Sequence, residues 1–173
     1  MAAALTVTAA PATASSPPTG RISPISSAGQ HCAVFLDRVT PGRSAMKVVS
    51  RSCSAAGKSA LAVPDSAADT ALVTVFADQN YLGGSFTYYD THGNGTCDAT
   101  GYSFDDVAEN NAWLNGISSM RGYDRCTAAE IYTTINRQGS PCFSQESPAD
   151  GGPIPYVGDV CNDHVRSFRI WAR

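Results

Sequence analysis

A chain of 173 residues has room for one domain of ordinary size with flanking segments. Only 16% of it is charged, with a net charge of -3 and a pI of about 5.5, so the basic face of a nucleic-acid binder is missing. No apolar run approaches the length needed to span a bilayer, and the six cysteines show no CxxC spacing and no close Cys/His cluster. That even count favours disulfides over zinc, and disulfides imply an oxidising compartment.

The first stretch, Met1-Ala-Ala-Ala-Leu-Thr-Val-Thr-Ala-Ala-Pro-Ala-Thr-Ala14, is small and apolar and ends in an A-x-A cleavage pattern. It reads as a signal peptide that lacks the usual basic head, and with the Ser/Pro linker after it accounts for residues 1–28. Residues 29–70 form a distinct extension. Cys32-Ala-Val-Phe-Leu-Asp37 and Lys47-Val-Val-Ser-Arg-Ser-Cys53 read as two strands about the turn Thr40-Pro-Gly42. Cys32 and Cys53 fall at equivalent ends of this hairpin, so they are expected to pair, which would contribute roughly 3 kcal/mol in the chain-entropy account. The Ala/Ser-rich segment that follows is linker or a short helical turn.

From Ala71 the texture becomes β-rich. Leu72-Val-Thr-Val-Phe76 and Ser85-Phe-Thr-Tyr-Tyr89 flank a turn-rich Gln79–Gly84 segment and make a hairpin. A polar loop follows, then Asp105-Asp-Val-Ala-Glu-Asn-Asn111, expected to be one helical turn with a solvated acidic face. Glu130-Ile-Tyr-Thr-Thr134 and Cys142-Phe-Ser144 read as further strands, and Val165-Arg-Ser-Phe-Arg-Ile-Trp171 closes the chain.

Two echoes run through this half. Phe76-Ala-Asp-Gln-Asn-Tyr-Leu-Gly83 matches Tyr132-Thr-Thr-Ile-Asn-Arg-Gln-Gly139 in its aromatic, its Asn and its Gly. Leu114-Asn-Gly-Ile-Ser-Ser119 matches Asn162-Asp-His-Val-Arg-Ser167. The chain therefore holds two copies of one unit of about fifty residues. Short strands between Gly-rich turns, taken twice, predict an all-β sandwich of two Greek keys over residues 71–173.

Those four motifs, in that order, resemble the βγ-crystallin superfamily, and most of all its secreted bacterial members grouped with metalloproteinase inhibitors. The resemblance implies that each hairpin carries a folded tip with its Gly at positive φ, and that the loop motifs bind calcium. Carried over residue by residue, one calcium site would take the Gly116 carbonyl, the Ser118 hydroxyl and the side chain of Asn162 or Asp163. The other would take the His164 carbonyl with Asn115 crossing, but its hydroxyl position is Arg166, which has no acceptor and brings positive charge. Leu114 replaces an Asn or Asp, and Ala77 and Thr133 stand where an acid often follows the hairpin aromatic. The one remaining site should be weak, in the range of roughly 0.1 to 1 mM of extracellular modules. The competing reading is that Asn115, Ser118 and Ser119 only cap a turn. Pairing within each repeat gives Cys97–Cys126 and Cys142–Cys161 beside Cys32–Cys53, one of the 15 connectivities of six cysteines.

The histidines lack metal-ligand spacing, and no nucleophile elbow, phosphate loop or zinc motif occurs. The expectation is a secreted, monomeric, non-catalytic module that binds calcium weakly. The alternative is a peptidase inhibitor acting on an extracellular protease through segment 147–155 or 91–100.

Overall fold

The computed structural model describes residues 29–39, 44–54, 69–91, 97–107, 116–146 and 153–173. The leader, the turn at 40–42, most of the 55–70 linker, the helical turn expected beyond Val107, Asn115 and most of segment 147–155 lie outside them.

Among the described residues there are ten strands. The N-terminal hairpin is β1 (His31–Arg38) and β2 (Met46–Ser54). The first repeat supplies β3 (Thr70–Phe76), β4 (Ser85–Asp90), β5 (Tyr102–Phe104) and β6 (Ser119–Gly122). The second supplies β7 (Ala128–Tyr132), β8 (Phe143–Glu146), β9 (Pro153–Ile154) and β10 (Ser167–Trp171). One sheet runs β2-β1-β4-β3-β6-β9 and the other β5-β10-β7-β8. Each repeat thus keeps three strands in its own sheet and lends the third, β5 or β9, to the other. The sandwich of two Greek keys expected from the repeat is the architecture observed.

Alternation explains the core. On the inner face of the first sheet one cross-strand row is Cys32–Phe86–Val75–Met120–Ile154. Opposite it, Phe104, Phe168, Ile131 and Phe143 are cross-strand partners in the second sheet. Tyr88 bridges the layers, with its ring 4.8 Å from Phe104 and 6.1 Å from Phe168, while Phe104 and Phe168 stack at 4.3 Å. These pairs bury the aromatic area that a thin sandwich depends on.

The N-terminal hairpin is part of the first sheet. β1 runs parallel to β4, which places Val34 beside Tyr88 and buries Val34 and Leu36 in the common core. Ala45, just before β2, bridges to Ser103 of β5, whose N–H donates to the Ser44 carbonyl at 2.7 Å. The hairpin therefore spans one open side of the sandwich. At that junction the fully buried Tyr102 donates to the Asp90 carboxylate at 3.0 Å, under the Arg38 guanidinium 4.4 Å from its ring. Burial pushes the Tyr102 phenol above its ordinary pKa. All three disulfides form as paired above: Cys32–Cys53, Cys97–Cys126 and Cys142–Cys161.

The two hairpin glycines sit at positive φ, Gly83 at 75° and Gly139 at 79°. A Cβ on Gly139 would meet nothing within 4 Å, whereas one on Gly83 would come 2.5 Å from Asp78 Oδ2 and 3.1 Å from the Ala77 Cβ. Gly139→Ala should therefore cost only the conformational penalty, about 1 to 2 kcal/mol. Gly83→Ala should cost more, because Asp78 must also swing away. Urea denaturation midpoints of the two variants measure the difference.

Candidate functional site

The two folded hairpins share one backbone pattern. In the first, Asn80 and Tyr81 take φ of 57° and 66°; in the second, Asn136 and Arg137 take 54° and 53°. Left-handed backbone at two consecutive non-glycine residues is held only by outside contacts. Those contacts come from the last serine of each loop motif. Ser119 Oγ donates to the Asp78 carbonyl at 2.6 Å and accepts the Tyr81 N–H at 3.0 Å. Ser167 Oγ donates to the Thr134 carbonyl at 2.6 Å and accepts the Arg137 N–H at 2.9 Å. One residue earlier, the backbone repeats too: the Ser118 N–H donates to the Phe76 carbonyl, and the Arg166 N–H to the Tyr132 carbonyl.

The two repeats also cross. The Asn80 N–H donates to the Pro155 carbonyl, and the Asn136 N–H to the Asp105 carbonyl. The Val157 N–H donates to Ser118, and the Val107 N–H to Arg166. So each hairpin and loop pair is completed by a segment of the other repeat, the segment that enters or leaves the exchanged third strand.

At the first site, Ser118 is buried and its hydroxyl donates to the Ala77 carbonyl at 2.7 Å. Val157, bonded to Ser118, leads into Gly158, whose carbonyl accepts the N–H groups of Cys161 and Asn162. Val157 and the Gly158 turn thus link Ser118 through the backbone to the start of the second loop motif at Asn162 and Asp163. Asn162 Nδ2 donates to Asp163 Oδ2 at 2.9 Å, and Asn162 Oδ1 is enclosed without a hydrogen-bond partner. Asp163 is exposed and has φ of 61°, and Gly116 is half-buried just ahead of Ser118. Asn115 lies outside the described residues. Within those residues no group of three His, Cys, Asp or Glu side chains is placed to hold a metal.

The second site is occupied by the protein's own cations. Arg166 Nη2 lies 3.6 Å from Asp106 Oδ1, and Arg137 Nε donates to Asp105 Oδ1 at 3.0 Å. Asp105 and Asp106, expected to form a solvated acidic face, are partly exposed and are paired with the other repeat's arginines. Sequence reading missed them because the partners lie 32 and 60 positions away in the chain. The available signal was that both arginines replace the uncharged residues of the first copy, Arg137 for Tyr81 and Arg166 for Ser118.

The chain is similar to several solved structures. A βγ-crystallin domain from Clostridium beijerinckii is 20% identical and covers 59% of this chain and 99% of its own length, at a TM-score of 0.41. A double mutant of that domain is 22% identical and covers 60% and 100%, at 0.42. A clostrillin double mutant in complex with nickel is 20% identical over the same shares, also at 0.42. No protein-family model matches the chain, and no curated protein matches it.

Ser119→Ala and Ser167→Ala each remove a buried donor and strand one backbone N–H. Each should cost about 2 to 3 kcal/mol. Thr134→Ala loses only an exposed bond to the Gln138 carbonyl, and should cost under about 1 kcal/mol. Thermal or urea unfolding of the three variants checks this ranking.

Proposed function

We propose that the chain is a secreted, non-catalytic module of the βγ-crystallin superfamily whose first loop motif takes a calcium ion weakly, for stability. The observation that carries it is the difference between two sites with matching backbone bonds: Ser118 Oγ stands 2.7 Å from the Ala77 carbonyl, where the second copy has Arg166 paired with Asp106. Ser118 Oγ and the Ala77 carbonyl are hard oxygen ligands already adjacent, and Asn162 Oδ1 is an enclosed acceptor with nothing to accept. The residues fit calcium better than a transition metal, because neither thiolate nor imidazole takes part. Gly116 would add its carbonyl and Asp163 the one negative charge. With so few carboxylates the affinity belongs at roughly 0.1 to 1 mM. Export is supported by three disulfides and by the signal-like leader. Among the described residues no helix is long and apolar enough to cross a membrane.

An ion that binds only the native state stabilises it by RT ln(1 + [L]/Kd), about 1.4 kcal/mol at a tenfold excess. The wild-type protein should therefore melt a few degrees higher in excess calcium than in chelator. Ser118→Arg should abolish that difference, and Arg166→Ser should enlarge it by adding a second response. A wild-type melting temperature indifferent to calcium would leave Ser118 as a turn cap only. A Ser118→Arg variant that still responds would place the ion elsewhere.

The peptidase-inhibitor reading draws support from segment 147–155. Its last residues are anchored: Ile154 is buried in the first sheet, and the Pro155 carbonyl accepts the Asn80 N–H at 2.9 Å. An inhibitor needs a fixed stretch to enter a protease cleft, and residues 154 and 155 fix one end of this segment. Dose-dependent inhibition of a thermolysin-like or subtilisin-like protease is the expected result, and flat titrations at micromolar protein would remove this reading for those enzymes.

A further inference from the structure

The three disulfides do not have the same surroundings. Cys97, Cys126 and Cys161 are buried and Cys142 is half-buried, with its sulfur 3.3 Å from the Ile131 carbonyl. Cys53, by contrast, is exposed, while its partner Cys32 is 2% exposed. A guanidinium faces that bridge. Arg51 Nε lies 3.3 Å from Cys53 Sγ and Nη2 lies 3.7 Å from Cys32 Sγ. The same guanidinium is held over the Phe86 ring at 4.6 Å, so its position is fixed by packing as well as by charge.

We propose that the Cys32–Cys53 bridge is a thiol-exchange site, opened by an external thiolate at Cys53 while Arg51 stabilises the departing Cys32 thiolate. Exchange requires an accessible sulfur to attack and a good leaving thiolate behind it, and a neighbouring cation lowers the leaving thiol's pKa. The incoming thiolate forms a bond to Cys53 Sγ. The electron pair of the Cys32–Cys53 bond passes to Cys32 Sγ, which leaves as a thiolate beside Nη2. A second thiol of the reductant then attacks the reductant sulfur of the mixed disulfide and releases Cys53 as a thiolate. The reductant gives up two electrons and becomes a disulfide, and the protein gains two thiols. Neither of the other bridges has an exposed cysteine.

The consequence for the fold is local. β1 stays anchored through its parallel pairing to β4 and through Val34 and Leu36 in the core. β2 is the outermost strand, with Lys47, Val49, Ser50, Ser52 and Cys53 all exposed, and it depends most on the bridge. Opening the bridge releases the outer strand of the hairpin and leaves the sandwich folded.

The test treats the intact protein with glutathione or with dithiothreitol, quenches samples with iodoacetamide at intervals, and maps each cysteine by mass spectrometry. Cys32 and Cys53 should be reduced first, with the other four still paired, and the glutathione adduct should sit on Cys53. Arg51→Met keeps an apolar stem over Phe86 and removes the charge; it should slow the opening by about three- to tenfold, with Arg51→Lys in between. Loosened packing alone would act in the opposite direction and speed the reaction, and the Cys97–Cys126 rate in the same samples reports any general loosening. Simultaneous loss of all three bridges, a glutathione adduct on Cys32, or an Arg51→Met rate equal to or above wild type would each overturn the proposal.

Discussion

Two serine hydroxyls hold the architecture together. Ser119 and Ser167 each donate to a hairpin carbonyl and accept from the N–H three residues further on. The hairpin tips carry consecutive left-handed residues, which cost of order 1 to 3 kcal/mol each and persist only where surroundings over-determine them. Because Ser119 opens β6 and Ser167 opens β10, each hairpin is tied to the fourth strand of its own Greek key. The Pro155 and Asp105 carbonyls then tie the same tips to the other key. Neither repeat can complete its hairpin alone, so the two must fold as one unit.

Duplicated geometry makes the chemical differences between the copies informative. The first site gathers neutral oxygens at Ser118 and Ala77. The second places two guanidiniums, Arg137 and Arg166, against Asp105 and Asp106. Both ion pairs are partly exposed, so their net contribution to stability is modest, about 1 kcal/mol or less apiece. Their larger effect is exclusion: a fixed guanidinium at a hydroxyl's position repels a second cation at short range. The second copy of the site thus has its cations built into the chain, and the first has none recorded there among its hydroxyl and carbonyl oxygens.

Most of this was legible in the sequence wherever the signal was local or repeated. The Gly of each hairpin announced positive φ, and the aligned serines announced a shared role, since the same residue types recur at the same spacing. The within-repeat cysteine pairings followed from the same symmetry. What the sequence could not display were relations across the two repeats. The partnership of Asp105 with Arg137 and of Asp106 with Arg166 depends on the strand exchange, and nothing near either acid encodes it. Likewise, Pro155 and Val157 look like turn residues, yet their backbone groups complete the first hairpin and loop. The extension was legible as a hairpin, but its parallel pairing with β4 was not, because strand alternation specifies which face is buried and not which neighbour is chosen.

That pairing answers a problem particular to this sheet. β4 is rich in aromatic residues, and as an edge it would present a row of unpaired backbone groups beside Phe86 and Tyr88, a template for association with another chain. β1 satisfies those groups and adds Val34 and Leu36 to the core, so the edge moves outward to β2. β2 carries Lys47, Arg51 and three serines, polar enough to be left in water. The second sheet meets the same problem differently. Its edge strand β8 has only four residues, Phe-Ser-Gln-Glu, and is stapled at its start by Cys142–Cys161. One edge is short and polar by composition; the other is long and apolar, and is covered by a dedicated hairpin. The extension is therefore part of the fold's solution to its own edge, and the Cys32–Cys53 bridge, joining β1 to β2 at their paired ends, is the covalent fastening of that cover.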